Sequence, residues 1–232
     1  ARHLNLPYLL LIKKGFCYKM TCGECVLNLS LIDRKKGLDR MYGVNLFDRE
    51  VSTFNKRPYR IGMHGKSKRR KRSLYAETLE QIQRLRFRYG ITRKQFVKYF
   101  KEARKQNNVG LTMIRLLETR LDALVYSMKW APTIFAAKQL VSHRHIQING
   151  NTIDINSYHV KPEDVISLKT TSRDIPLINM SLQAKREVPS YVQMGGNNYS
   201  GTLIKLPDSI DEVLYTWKVD IVALIEFFAH RV

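Results

Sequence analysis

The densest chemistry in this 232-residue chain is cationic. Lys66-Ser67-Lys68-Arg69-Arg70-Lys71-Arg72 places six positive side chains in seven residues. Like charges in such a run repel one another, so an anion is needed to order it; a solvated tail or a targeting signal has the same look in isolation. Just ahead stands Gly62-Met63-His64-Gly65, whose glycines let the backbone come close to phosphates. Further on, Arg84-Leu85-Arg86-Phe87-Arg88-Tyr89 interleaves cations with aromatics. The cations suit phosphates, and the rings suit either base stacking or core filling, the latter being the simpler role for Phe87. A second donor cluster, Lys138, His143, Arg144 and His145, lies along and at the end of a predicted helix, where positive charge is favoured. A solvated basic helix end is the bland alternative to a phosphate-binding face there.

Cys17, Cys22 and Cys25 form a CxxC with a third thiol five residues upstream. Thiolates so spaced can hold zinc tetrahedrally, but a fourth ligand is missing and would have to come from His3 or a neighbouring protein. Plain buried or free thiols, with no cofactor, are the simpler reading. No Ser-His-Asp set, phosphate-cradling glycine loop or paired carboxylates stand out, and Glu163 and Asp164 read as turn residues.

Bulk composition narrows the partners. The net charge is +20 and the pI about 10.0, which calls for an anionic partner, nucleic acid before membrane surface. The charge is uneven. Residues 1–110 hold 27 Lys+Arg against 8 Asp+Glu, whereas residues 111–232 hold 13 against 12. The electrostatic grip therefore belongs to the first half, and the second half is mainly folded scaffold. No apolar run approaches the roughly 20 residues that span a bilayer, and no cleavable signal is clear. Three cysteines, an odd number, do not make a disulfide framework, so a reducing compartment is expected.

The elements that must position these residues follow from periodicity and punctuation. Ser73 to Tyr89 reads as a helix ended by Gly90. Thr92-Arg93-Lys94-Gln95 is a capping box. It opens a helix with Phe96, Val97, Phe100 and Ala103 on one side and Arg93, Lys94, Lys98, Lys101, Arg104 and Lys105 on the others. Leu111, Ile114, Leu117, Leu121, Leu124, Val125 and Met128 predict one long amphipathic helix. Pro132 breaks it, and Thr133 caps another with Ile134, Ala137, Leu140 and Val141 as its apolar face. Ile146-Gln147-Ile148, Asn149-Gly150 and a return strand through Ile153 and Ile155 predict a hairpin. Lys161–Asp164 is a turn and Val165–Leu168 a strand. Gly201–Ile204 would be another strand, and the apolar run Ile221 to Phe228 a buried one.

QLVSHRHIQINGNTIDINSYHVKPEDVISL resembles the RNA-binding domain of the small ribosomal subunit protein uS4 family. Gln139, Leu140, Val141, His143, His145, Ile146, Asn149, Gly150, Ser157, Tyr158, Asp164 and Ile166 fit the family pattern. The flanks agree in order: Gly62-Met63-His64-Gly65 resembles the family's PGQHG loop, followed by the basic run, a helix ending in YG, RKQFVKYFKEA, an Asn/Gly loop and LLETRLDALVY. Glu187-Val188-Pro189-Ser190-Tyr191 and Glu226-Phe227-Phe228 resemble parts of the family's closing segment.

The resemblance implies an α+β protein. Its mostly helical N-terminal RNA-binding domain is completed by the C-terminal segment, and a small S4-type domain of two helices and a small β-sheet is inserted. The boundaries expected are 1–60 for a divergent extension, 61–119 for the basic helical domain, 120–169 for the S4-type domain and 170–232 for the closing segment. The implied function is a structural constituent of the small ribosomal subunit, binding its 16S/12S-like rRNA and helping to nucleate assembly. The family also lies at the mRNA entrance beside uS3 and uS5, where it affects decoding accuracy. Residues carried over to rRNA binding are His64, Lys66, Lys68, Arg69, Arg70, Lys71, Arg72, Arg84, Arg88, Arg120, Gln139, His143, His145 and Asn149. The reading of the residues themselves adds Arg86, Arg93, Lys98, Lys138 and Arg144. Cys17-x4-Cys22 resembles half of the four-cysteine zinc site of some bacterial members.

The alternative is a non-ribosomal S4-domain RNA-binding or RNA-modifying protein. Thr119-Arg120-Leu121-Asp122 resembles the G-R-L-D motif of pseudouridine synthases, but Thr119 replaces the Gly and the motif precedes the small domain instead of following it. Too few residues remain for a catalytic domain, so Asp122 reads as an ordinary helix carboxylate and the chain as no enzyme. Lys129–Ala137, KWAPTIFAA, resembles uS4 of the bacterial line that gave rise to mitochondria. A mitochondrial ribosome is therefore preferred over a plastid one, and that over a bacterial cytoplasm.

Overall fold

The computed structural model describes residues 35–48, 53–67, 71–184 and 186–229. Helix α1 (Lys35–Tyr42) and the single turn α2 (Thr53–Lys56) precede α3 (Leu74–Arg88), α4 (Arg93–Ala103) and α5 (Val109–Glu118). The start signals act as polar side chains should. The Ser73 hydroxyl accepts from Ala76 N–H at 3.3 Å, and the Thr92 hydroxyl from Gln95 N–H at 3.4 Å. Gly90 ends α3 with φ +57°, and a Cβ there would lie 2.8 Å from the Phe135 ring, so glycine suits both the turn and the close approach. Ile82 and Leu85 of α3, Phe96 and Phe100 of α4, and Met113, Ile114 and Leu117 of α5 share one buried core.

The long helix predicted over residues 111–128 is two helices. Glu118 ends α5, and α6 (Leu121–Ser127) starts afresh after Arg120, whose ψ of 139° is extended. Arg120 forms an isolated antiparallel bridge with His159. Leu121 N–H donates to Tyr158 O and Val160 N–H to Thr119 O, both at 2.9 Å. The apolar period runs through the break because both helices face the same core. It carries no record of backbone bonds made to a segment forty residues away.

Helix α7 (Ile134–Ser142) begins at Thr133, whose hydroxyl accepts from Ala136 N–H at 3.2 Å. The hairpin follows. Strands β1 (Ile146–Ile148) and β2 (Asn151–Thr152) pair across Asn149 and Gly150, which take φ of 49° and 84°. The return strand is shorter than predicted. Ile153 N–H still reaches Ile146 O at 3.3 Å, but Ile155 is 58% exposed and outside the ladder. Strand β3 (Val165–Leu168) pairs with β1 on the other side.

The sheet does not stop at residue 169. After a 3-10 turn (Thr170–Ser172) and α8 (Pro176–Gln183), strands β4 (Val192–Met194) and β5 (Ser200–Leu203) join it. The order is β2-β1-β3-β5-β4, antiparallel throughout, with Ile166 opposite Gly201.

Ile221 to Phe228 is a helix, α9 (Ile221–Ala229), and not the buried strand its apolar run, broken by Glu226, suggested. An Asp220 carboxylate oxygen accepts from Ala223 N–H at 3.2 Å and starts it. Leu224, Phe227 and Phe228 are buried at helical spacing, while Val222 is 64% exposed. Phe228 lies 4.6 Å from Phe100 and 5.9 Å from Phe96, ring to ring, and Phe227 stacks on Tyr75 at 5.7 Å. A Cβ on Gly110 of α5 would collide with Ile221, so glycine is what lets α5 and α9 meet. The last helix thus closes the core that α3–α5 began, with the small sheet domain inserted between.

Candidate nucleic-acid interface

Two populations of cations separate once burial is known. The first is at the surface. His64 and Lys66 sit exposed on the turn 62–67, held by Gly65 N–H to Gly62 O and Ser67 N–H to His64 O, each 3.1 Å. Arg40 of α1 anchors this turn: its Nε donates to Tyr59 O at 2.9 Å and an Nη to Arg60 O at 3.1 Å. Lys66 lies over the Tyr59 ring at 5.4 Å. Lys71 is exposed; Lys68, Arg69 and Arg70 lie outside the described residues, as do His3, Cys17, Cys22 and Cys25. Helix α4 presents Arg93, Lys94, Lys98 and Lys101 to solvent, followed by exposed Arg104 and Lys105. At the end of α7, Gln139, His143 and Arg144 are exposed, and Arg144 pairs with Asp154 at 3.0 Å.

The second population is turned inward, and it includes three residues that the sequence reading assigned to rRNA binding. Arg88 is buried; it donates to Leu46 O at 3.0 Å, pairs with Asp48 and lies 5.0 Å over the Tyr126 ring. Arg120 is buried too. Its Nε and one Nη grip both oxygens of Asp122 at 2.9 and 2.7 Å, and the other Nη donates to Tyr99 Oη at 2.6 Å. Lys138 points inward from α7 and donates to the carbonyls of Tyr89 and Gly90 at 2.6 and 2.8 Å. Burial lowers its ammonium pKa, an effect that Asp122 at 3.6 Å opposes. These three residues bind the protein to itself. Asp122, expected to be an ordinary helix carboxylate, is fully buried as the partner of two of them.

The rest fall between. Arg72 and Arg84 both pair with the buried Glu80 carboxylate, Arg84 at 3.0 Å. Arg86 is half-buried over the Phe87 ring at 4.3 Å. His145 is half-buried; its Nδ1 lies 2.8 Å from Ser172 Oγ, and its ring stacks near His143 at 6.1 Å between centroids. Burial first, then His143 and Lys169, lower its pKa, so the ring is neutral at neutral pH. Asn149 is a hairpin residue before anything else: its side chain donates to Asp164 at 2.8 Å and accepts from Val165 N–H at 3.0 Å.

The residues that sequence reasoning missed are mostly the acidic partners. Glu80, Asp48 and Asp122 decide which arginines turn inward. Only Glu80–Arg84, four residues apart on one helix, left a readable spacing. Glu118, at the end of α5, is another. It is buried with Tyr89 Oη and, at 2.9 Å, Tyr191 Oη donating to its two oxygens, while Tyr215 Oη lies 2.5 Å from Tyr89 Oη. Among the described residues no group of His, Cys, Asp and Glu could hold a metal, and no helix is long and apolar enough to cross a membrane.

Fold and surface together define a class: a helical domain with an exposed cationic surface, closed by its own C-terminal helix around an inserted S4-type module. Two family models match consecutively, the ribosomal protein S4/S9 N-terminal domain over residues 30–118 and the S4 domain over residues 119–166. The first reaches well ahead of residue 61, in keeping with the burial of Leu38, Tyr42, Leu46 and Phe47. The chain is 40% identical over 198 residues to the small ribosomal subunit protein uS4 of Phenylobacterium zucineum, covering 84% of this chain and 96% of the relative. It is 39% identical over 201 residues to that of Rhodospirillum rubrum, covering 85% and 98%. With Paracoccus denitrificans uS4 the identity is 37% over 198 residues, covering 84% and 96%. The chain belongs to the small ribosomal subunit protein uS4 family.

Proposed function

We propose that the protein is a structural, non-catalytic constituent of the small ribosomal subunit that binds its rRNA through charge and shape. The observation that carries this is the segregation of cations. Helix α4 and the turn 62–67 hold theirs in solvent, while Arg88, Arg120 and Lys138 are turned onto internal acceptors. Exposed Lys and Arg exchange condensed counterions for phosphates, and shape selects a site where RNA helices meet. The contact residues in this reading are His64, Lys66, the run from Lys68 to Arg72, Arg86, Arg93, Lys98, Gln139, His143, Arg144 and His145. Family membership supports roles in subunit assembly, at the mRNA entrance and in decoding accuracy, with uS5 and uS3 as neighbours. The KWAPTIFAA stretch supports a mitochondrial ribosome as the home of the chain.

Sedimentation tests the reading. The protein should travel with small subunits in stoichiometric amount through a high-salt gradient, and those subunits should come from purified mitochondria. A free pool at the top of the gradient would instead support an RNA-binding or RNA-modifying protein that acts off the ribosome.

A further inference from the structure

The corner where α7 turns into β1 gathers four groups that suit a phosphate. Arg144 takes a left-handed φ of 61° and carries the chain from helix to strand. The imidazoles on either side of it, His143 and His145, lie side by side, 6.1 Å between centroids with ring planes 26° apart. Lys169 is exposed at the end of β3, and its backbone N–H donates to His145 O at 2.9 Å. Ser172 is buried in the 3-10 turn, with its Oγ 2.8 Å from His145 Nδ1. Nε2 of that ring makes no hydrogen bond among the described residues and keeps accessible surface, so it is the nitrogen a ligand can reach.

What this corner lacks is negative charge. Burial first, then the positive charges of His143 and Lys169, hold the His145 pKa down, and no carboxylate opposes them. Asp154, on the hairpin, is already paired with Arg144 at 3.0 Å. The C-terminal end of α7 offers only a partial negative charge. A phosphate brings the missing charge and so favours the imidazolium form. The Ser172 hydroxyl can donate to Nδ1 of the neutral ring and accept from Nδ1–H of the protonated one. The ring therefore gains a proton without losing its hydrogen bond, and Nε2–H is a donor in both states. We propose that His143, His145, Lys169 and Ser172 form a phosphodiester site whose occupation by RNA is coupled to the uptake of a proton from solvent by the imidazole pair. The inference rests on the rRNA-binding reading above. It adds a dependence on pH that lysines and arginines do not supply, since they stay charged across the neutral range.

The test uses the full chain and a small-subunit rRNA fragment at constant ionic strength. From about pH 8 down to about pH 5.5 the affinity should rise, by up to about tenfold per pH unit where one proton is taken up for each RNA bound. Titration calorimetry in buffers of different ionisation enthalpy should read the same uptake directly. His143→Gln combined with His145→Gln should bind about as the wild type does at high pH and gain less on acidification. His143→Lys fixes a positive charge at an exposed position; it should bind more tightly than the wild type at about pH 8, with a smaller uptake. Protonation of the RNA itself is common to all three proteins and cancels in the difference. Thermal melting at each pH establishes that the variants fold. A flat profile in the wild type, or the wild-type profile in the double variant, would overturn this site alone. Failure of the wild type to bind at any pH would overturn the RNA reading and this inference with it.

Discussion

Helix α4 and the seam where α3, α6 and α7 meet are both rich in Lys and Arg, and they use them in opposite ways. On α4, Arg93, Lys94, Lys98 and Lys101 face water with no ion pair among the described residues. At the seam, Arg88, Arg120 and Lys138 are turned inward onto Asp48, Asp122 and the carbonyls of Tyr89 and Gly90 just past α3. A net charge of +20 therefore overstates how much of the molecule is available to an anion. On the rRNA-binding reading, surface cations set affinity and its salt dependence, and interior ones set stability.

The comparison can be broken most severely at Arg120. Arg120→Ala leaves a fully buried Asp122 with only Lys138 nearby, and should cost about 3–5 kcal/mol in urea unfolding. Any protein that remains folded should bind RNA with an unchanged salt slope; a flattened slope would mean that Arg120 does touch phosphate. Conversely, replacing Arg93, Lys94 and Lys98 together with Gln should leave stability within about 0.5 kcal/mol. It should lower the slope of log affinity against log salt by about 0.7–0.9 for each phosphate contact removed. Lys138→Met removes two charge-assisted bonds to backbone carbonyls. It should destabilise by about 1.5–3 kcal/mol, with RNA affinity per folded molecule unaltered.

A smaller effect concerns pH. Burial raises the Glu118 carboxyl above its ordinary 4.5, opposed by the tyrosine hydrogen bonds. The folded state therefore holds this proton more tightly than the unfolded chain. Its stabilising contribution is complete below the unfolded value and is lost as pH rises through the raised one. Glu118→Gln should abolish that dependence. The stability of the wild type relative to the variant should decline on titration upward from about pH 4, and a flat difference would refute the assignment. The smallest effect is at Arg144, whose pair with Asp154 is exposed: Arg144→Ala should change stability by less than about 1 kcal/mol.

Much of this architecture was legible before any coordinates. Thr92 with Gln95 and Thr133 before α7 announced their helices because caps are local devices. Asn149-Gly150 announced its hairpin because two left-handed residues are what such a turn requires. The misses share a cause, which is dependence on distant chain. The α5–α6 break is made by Tyr158 and His159, and an eight-residue apolar run at 221–228 suits helix and strand equally until Asp220 and the aromatic shelf of α4 decide. The site was half legible. Charge density located the cationic face, but the sorting of Arg88, Arg120 and Lys138 to the inside depended on carboxylates that only the fold brings to them.

The pairing of β3 with β5 has a consequence for how the protein is made. Val165–Ser167 lie against Ser200–Thr202, so the central strand of the inserted module has only β1 beside it until residue 202 has been translated and has cleared the exit tunnel. The helical core waits longer still, for Phe227 and Phe228. A nascent chain halted before about residue 200 would carry the entire basic face with neither half of its support closed. On the rRNA-binding reading, capture of RNA by the finished fold waits until Phe228 has been made and packed.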